Sequence, residues 1–184
     1  ISTKPIAGTL RKTKHLNKNK ALTFFRRNEK ETKEHNMIVD MERNDLSKIC
    51  KTGSVKIDKL KKVEEYRDLF HYVTTIKGVI KNKMSNHDII SSLMPGGSVI
   101  GCPKISTIQL LNRKEKFDRN IYTGSFGIIH SNGDMRFNIM IRTLLNFKND
   151  IELSVASGVI LGSTAKKEYN ENYIKAKSLL DLFN

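Results

Sequence analysis

The stretch EHNMIVDMERNDL, residues 34–46, constrains what this chain can fold into more than any other. Met37, Ile38, Met41, Leu46 and, just beyond, Ile49 recur near the helical period, so one face of a helix is buried. The same stretch carries Glu34, His35, Asp40, Arg43, Asn44 and Asp45. An amphipathic helix with a solvated charged face accounts for any one of these groups. Their density beside buried positions points to a partner site elsewhere in the chain. The pattern predicts a helix from about Asn19 to Ile49, bent near its middle.

The rest of the chain alternates helical and β-branched stretches. TKPIAGTLR (3–11) reads as an extended segment breaking at Gly8, and TGSVKIDKLKKVEEY as a turn at Gly53 followed by a short strand through Val55 and Ile57. FHYVTTIKGVIK (70–81) reads as a strand bounded by Gly78, and HDIISSLM as a short helix capped at Asn86. PGGSVIGCPK (95–104) is a glycine-punctuated loop running into a helix from about Pro103, a favoured first-turn residue. Strands follow at 121–130, 134–147 and 151–161, with Asn132-Gly133 as the hairpin signal, and a helix from about Lys166 to Leu182 closes the chain. The order predicts an α+β fold, a largely antiparallel sheet with helices packed on its outside, as one domain over 1–184.

Composition narrows the classes. The 184 residues can bury one substantial core. No apolar run approaches a membrane span, no signal peptide opens the chain, and Cys50 and Cys102 are isolated, so a cytoplasmic protein without disulfide framework or zinc site is expected. The opening at Ile1 suggests part of a longer chain. A net charge of +14 draws anions, either nucleic acid or a small polyanionic substrate. Residues 11–33 are densely basic, yet no RNP-like aromatic pattern, zinc knuckle or helix-turn-helix signature accompanies them. A basic nucleic-acid-binding module is the competing class, but solvated surface accounts better for most of the charge, and no nucleic acid or membrane partner is expected.

Two acidic pairs carry the chemistry that spacing can suggest. Glu31 and Glu34 share a helix face, as do Glu168 and Glu171 on the last helix. Together they could offer oxygens to one hard divalent cation such as Mg²⁺, although solvated helix faces produce the same spacing. His71 lies in an apolar strand, where a satisfied structural histidine is the ordinary case. Arg142, in FNIMIRTLL, sits in a strongly apolar strand where a guanidinium needs an anion: a substrate carboxylate or a structural Asp or Glu. The loops IAGT, GGSVIG and ASGVI expose backbone amides, but GxxxxGK[ST] and GxGxxG are absent.

Taken in order, KPIAGT, EHNMIVDMERNDL, GSVKI, FHYVTT, PGGSVIGCPK, IYTGSFGII, NGDMRFNIMIRTL, ASGVILGS and KEYNENYIKAK resemble the catalytic domain of the chorismate-utilising enzymes. That family includes the first components of anthranilate synthase and aminodeoxychorismate synthase, and the isochorismate and salicylate synthases. The resemblance spans almost the whole chain, which corresponds to the C-terminal part of family subunits more than twice as long. It implies Mg²⁺ held by Glu31, Glu34, Glu168 and Glu171 and bound to the ring carboxylate of chorismate. It places Arg142 and Tyr122 on the pyruvyl carboxylate with the amide of Gly158, and adds Lys175, Gly8 and Thr9 to the substrate-binding set. His71 falls near the departing ring hydroxyl and Ser98 on a hydroxyl position near the ring, the two catalytic candidates. Asp40, Arg43, Asn44 and Asp45 brace the helix.

The resemblance also implies ammonia as nucleophile, delivered by a glutamine amidotransferase subunit. Ala7 gives PIAGT, the anthranilate synthase form, where aminodeoxychorismate synthases generally carry a nucleophilic lysine. PGGSVIGCPK and RFNIMIRTL read more like the aminodeoxychorismate branch of folate biosynthesis. Ile100, Cys102, Ala156 and Ser157 depart from the usual family residues. The larger number of matching positions favours aminodeoxychorismate synthase, with anthranilate synthase as the alternative.

Overall fold

A computed structural model describes residues 1–148 and 150–183. The chain divides into two compact units, Ile1–Ser98 and Val99–Asn184. Its α+β class holds in both.

In the first unit the expected helix is two helices, α1 (Lys18–Arg27) and α2 (Glu29–Ile49). Asn28 makes the bend. Its backbone N–H closes α1 on the Phe24 carbonyl at 3.1 Å, and its side chain accepts from Glu31 N at 3.2 Å to open α2. Arg26 and Arg27 sit at the negative end of α1, where the helix dipole favours cations. The buried face of α2 is His35, Ile38, Val39, Met41, Asp45, Leu46 and Ile49. Asp45 is covered and paired with Lys48 at 3.0 Å, so this part of the charged stretch does brace the helix.

These helices pack on an antiparallel four-stranded sheet of β1 (Ser2–Thr3), β2 (Ile6–Arg11), β3 (Lys56–Glu65) and β4 (Leu69–Lys77). Every other strand pairs with β4, which is buried over most of its length. Phe25 of α1 stacks on Tyr72 of β4 at 5.0 Å, within a core completed by Ala21, Val63 and Phe70. The short strand expected at Val55 and Ile57 is instead the ten-residue β3. Its lysines hide it from a periodicity reading, yet charge is what keeps an edge strand from pairing with another chain. A short helix α3 (Asn86–Leu93) follows, opened by a reciprocal capping box between Ser85 and Asp88.

The one-turn α4 (Gly97–Ile100) occupies the predicted loop at the boundary between the units. The second unit comprises α5 (Lys104–Lys114), the hairpins β5 (Ser125–Ile129) with β6 (Met135–Ile139) and β7 (Leu144–Phe147) with β8 (Asp150–Leu153), and α6 (Ala165–Leu180). The strand expected over 134–147 is broken. Met140 closes the first hairpin by donating to the Gly124 carbonyl at 2.9 Å, Ile141 N folds back onto Ile139 O, and Arg142 takes a left-handed backbone at φ +50°. The strand expected over 151–161 ends at Leu153. The one expected over 121–130 begins only at Ser125, after a turn in which Tyr122 N donates to Arg119 O. Among the described residues no helix is long and apolar enough to cross a membrane.

Candidate active site

In the first unit four expected site residues meet in two pairs, Gly8 with Glu31 and Thr9 with His71. The register of β2 on β4 shifts between Ile6 and Thr9, and the shift places Gly8 at φ +92°. A Cβ there would stand 2.8 Å from a Phe25 ring carbon and 3.0 Å from Glu31 Oε2, so the loop backbone lies directly on that carboxylate and only glycine fits. Thr9 pairs with His71 in the ladder, and its Oγ1 lies 3.0 Å from His71 Nδ1. A Thr9 donor makes Nδ1 the acceptor and puts the proton on Nε2; a Thr9 acceptor requires the opposite tautomer. Tyr66 meets the imidazole edge-on at 5.3 Å.

Glu34 shares the half-buried face of Glu31 on α2, while His35 points into the core. His35 Nε2 lies 2.6 Å from Thr74 Oγ1, and the ring packs against Tyr72 at 4.9 Å. Burial, reinforced by the Lys61 ammonium and only weakly opposed by the Ala7 backbone, pushes its pKa down to about 4. His35 is therefore a neutral structural ring at physiological pH. Ala7 is buried with Ile38 and Met41. Ser98 is exposed on α4, whose Gly97 packs so closely on Met41 that a Cβ would meet the sulfur at 3.0 Å.

In the second unit α6 clamps the loop at 156–158. Lys175 Nζ lies 2.8 Å from Glu171 Oε1 and donates to the Ala156 carbonyl at 3.2 Å. Ser157 Oγ donates to Asn172 Oδ1 at 2.7 Å and lies 3.1 Å from the Glu168 carbonyl. Gly158 is exposed just beyond, and Glu168 is buried. Burial raises the Tyr122 phenol, with Arg119 opposing and the Ala156 backbone in hydrogen-bonding range. The Thr123 to Met140 hydrogen bond, 2.9 Å, ties the Tyr122 turn to the chain two residues before Arg142. Arg142 itself is exposed and outside any strand, so the inference of a guanidinium embedded in an apolar strand is corrected.

Arg119 was not among the expected site residues. It forks onto Glu115 at 2.6 and 2.8 Å, donates to Val99 O and Thr123 Oγ1, each at 3.2 Å, and lies 5.8 Å from the Tyr122 ring centroid. The i,i+4 spacing of Glu115 and Arg119 was its only sequence signal. Among the described residues no group of three or more His, Cys, Asp or Glu is placed to hold a metal ion. Each unit offers one pair of glutamates one helical turn apart, all hard oxygen donors of the kind Mg²⁺ takes.

Residues 1–181 match the family described as chorismate binding enzyme. The chain is 37% identical over 179 residues to an anthranilate synthase component I-like protein of Synechocystis, covering 97% of this chain and 37% of that protein. It is 37% identical over 177 residues to aminodeoxychorismate synthase component 1 of Bacillus subtilis, covering 96% and 38%. The crystal structure of anthranilate synthase component I from Streptococcus pneumoniae superposes with a TM-score of 0.78 at 35% identity, over 96% of this chain and 39% of that one. The menaquinone-specific isochorismate synthase of Escherichia coli shares the fold at a TM-score of 0.82 and 24% identity, over 100% of this chain and 42% of that one. The chain thus spans under two fifths of the curated relatives quoted.

Proposed function

Because this chain belongs to the chorismate-binding enzymes, we propose that the protein containing it aminates chorismate to 4-amino-4-deoxychorismate, with Mg²⁺ as cofactor and ammonia supplied by a glutaminase partner. The observation that carries an aminating reading is the Ala7–Thr9 segment. Thr9 holds His71 by its Nδ1, Gly8 lies against the Glu31 carboxylate, and the Ala7 methyl is buried against Ile38 and Met41. Position 7 thus supplies no amine, and on this reading the nucleophile is ammonia delivered from outside the chain. The products of the overall exchange are the amino compound and water, with the enolpyruvyl group retained.

Chorismate is a dicarboxylate, and its two ends call for two kinds of anchor. Arg142, Tyr122 and the Gly158 amide are the proposed holders of the pyruvyl carboxylate, and Lys175 adds a cation to the substrate set. Glu31, Glu34, Glu168 and Glu171 are the candidate donors for Mg²⁺, which when bound supplies Lewis-acid stabilisation of charge on the ring carboxylate. His71, oriented by Thr9, donates a proton or hydrogen bond to the ring hydroxyl as it departs, and Ser98 contributes a hydroxyl near the ring. Fixing both carboxylates orients the ring for attack.

PGGSVIGCPK and RFNIMIRTL favour this product. Ala7 favours a second one, anthranilate with release of pyruvate. Product analysis of the full-length enzyme with chorismate, Mg²⁺ and ammonia decides between them. A non-fluorescent product converted to p-aminobenzoate only after addition of the matching lyase upholds the first reading. Fluorescent anthranilate with stoichiometric pyruvate, formed without lyase, overturns it in favour of the second.

A further inference from the structure

The first unit contains a cavity of about 340 Å³ that the proposed chemistry leaves unused, lined by Arg26, Thr32, Leu60, Lys61 and Tyr72. Tyr72 and His71 are successive residues of β4, so the cavity opens on the face of the sheet opposite His71. Tyr72 lines it from the sheet, only 1% exposed and stacked on Phe25 at 5.0 Å. One wall is closed by Thr32, whose hydroxyl donates to the Phe25 carbonyl at 3.2 Å. Leu60 gives the apolar side.

The two remaining residues are cations, and a backbone irregularity places one of them. The register of β3 on β4 shifts between Lys59 and Lys62. Lys61 within that bulge adopts φ +49°, and its N–H donates to Thr74 Oγ1 at 3.0 Å instead of to a backbone carbonyl. A left-handed lysine is unfavourable and persists where its surroundings over-determine it, often beside a binding site. Arg26, in the last turn of α1, has the Tyr72 phenol in hydrogen-bonding range. Arg26 is exposed and Lys61 half-buried at the cavity. Two such cations around one concavity focus a positive field into it.

We propose that this cavity binds a phosphate-bearing small molecule, with Arg26 and Lys61 on the phosphate and Leu60 and Tyr72 along the remainder. The guanidinium supplies a planar fork and the ammonium a compact charge, a combination suited to a tetrahedral oxyanion. The volume falls in the range of small-molecule sites and leaves room for an organic body.

Calorimetric titration of the full-length protein with inorganic phosphate, at ionic strength held constant with sodium chloride, tests this. Saturable one-site binding is expected, weakened at least about tenfold by Arg26→Gln and by Lys61→Gln, the loss of one charge-assisted hydrogen bond each, and unchanged by Lys14→Gln in an exposed loop. Absence of saturable heat up to about 10 mM phosphate, beyond the millimolar end of specific binding, overturns the proposal, as does equal weakening by all three substitutions. Hydrogen exchange on the unsubstituted chain gives a readout independent of variant folding. Phosphate should slow exchange at Lys61 and its β3 and β4 neighbours, and slowing confined to other segments overturns the assignment.

Discussion

Mild acid should destabilise the first unit through His35. The ring is 0% exposed and neutral in the folded chain. Unfolded, it takes up a proton near its ordinary pKa of 6.5, whereas folded it resists protonation down to about 4. Between those values the unfolded chain binds more protons, so stability falls as the pH drops through the upper value and the loss levels off near the lower one. Going from about pH 7 to about pH 5 then costs about 2 kcal/mol, a large fraction of an ordinary domain's stability. The ion-paired carboxylates belong to a separate window. Hydrogen bonds from Lys4 and from Arg119 hold Glu64 and Glu115 below the ordinary value of 4.5, so their contribution is lost only as the pH falls further. Urea denaturation followed by circular dichroism at the two pH values, on the native chain and on His35→Gln, isolates the histidine. The native chain should lose about 2 kcal/mol more than the variant. Identical pH dependence in the two would refute the buried neutral ring.

Other consequences concern the full-length enzyme. Glu34→Gln or Glu171→Gln should abolish Mg²⁺-dependent turnover while the circular dichroism spectrum stays unchanged; near-normal activity at ordinary Mg²⁺ would remove those glutamates from the metal assignment. Arg142→Lys should weaken chorismate binding by roughly 1–3 kcal/mol through loss of the bidentate fork, measured by equilibrium binding. A fall in stability with binding unchanged would instead mark a structural ion pair. Gly8→Ala forces a side chain into φ +92° against Phe25 and Glu31. It should cost at least about 1–2 kcal/mol from backbone handedness alone, read by thermal denaturation; a neutral result would show that the segment adopts another backbone.

How legible the fold was depended on whether one period dominated a segment. The α2 stripe was predicted from its spacing, and its Ile38, Met41, Leu46 and Ile49 are buried while Met37 is exposed; β4 was predicted from its β-branched residues and the bounding Gly78. The strand β3 was underestimated because its exposed edge calls for charge, and Lys56, Lys59, Lys61 and Lys62 read as loop composition. The break after β6 fails differently. FNIMIRTLL is mostly β-branched and apolar, and no glycine or proline marks the reversal. The turn is enforced by hydrogen bonds from Met140 to Gly124 and from Thr123 to Met140, contacts distant in sequence, together with a left-handed Arg142.

Site residues follow the same logic one level up. Spacing could pair Glu31 with Glu34 and Glu168 with Glu171, because three residues along a helix is a local relation. It could not bring Thr9 to His71, since a contact across 62 residues depends on the β2–β4 register, nor show that a bulge between Ile6 and Thr9 lays Gly8 on the Glu31 carboxylate. Matching ordered motifs to the chorismate-utilising enzymes assigned these residues to one site but named neither contact. Arg119 shows the limit of that route. Its hydrogen bonds to Val99, Thr123 and Glu115 are visible only once the chain is folded. Lys61 and Arg26 show it again, because a bulge between Lys59 and Lys62 decides that they share a cavity, and lysines in a basic chain carry no mark of which one a bulge will turn inward.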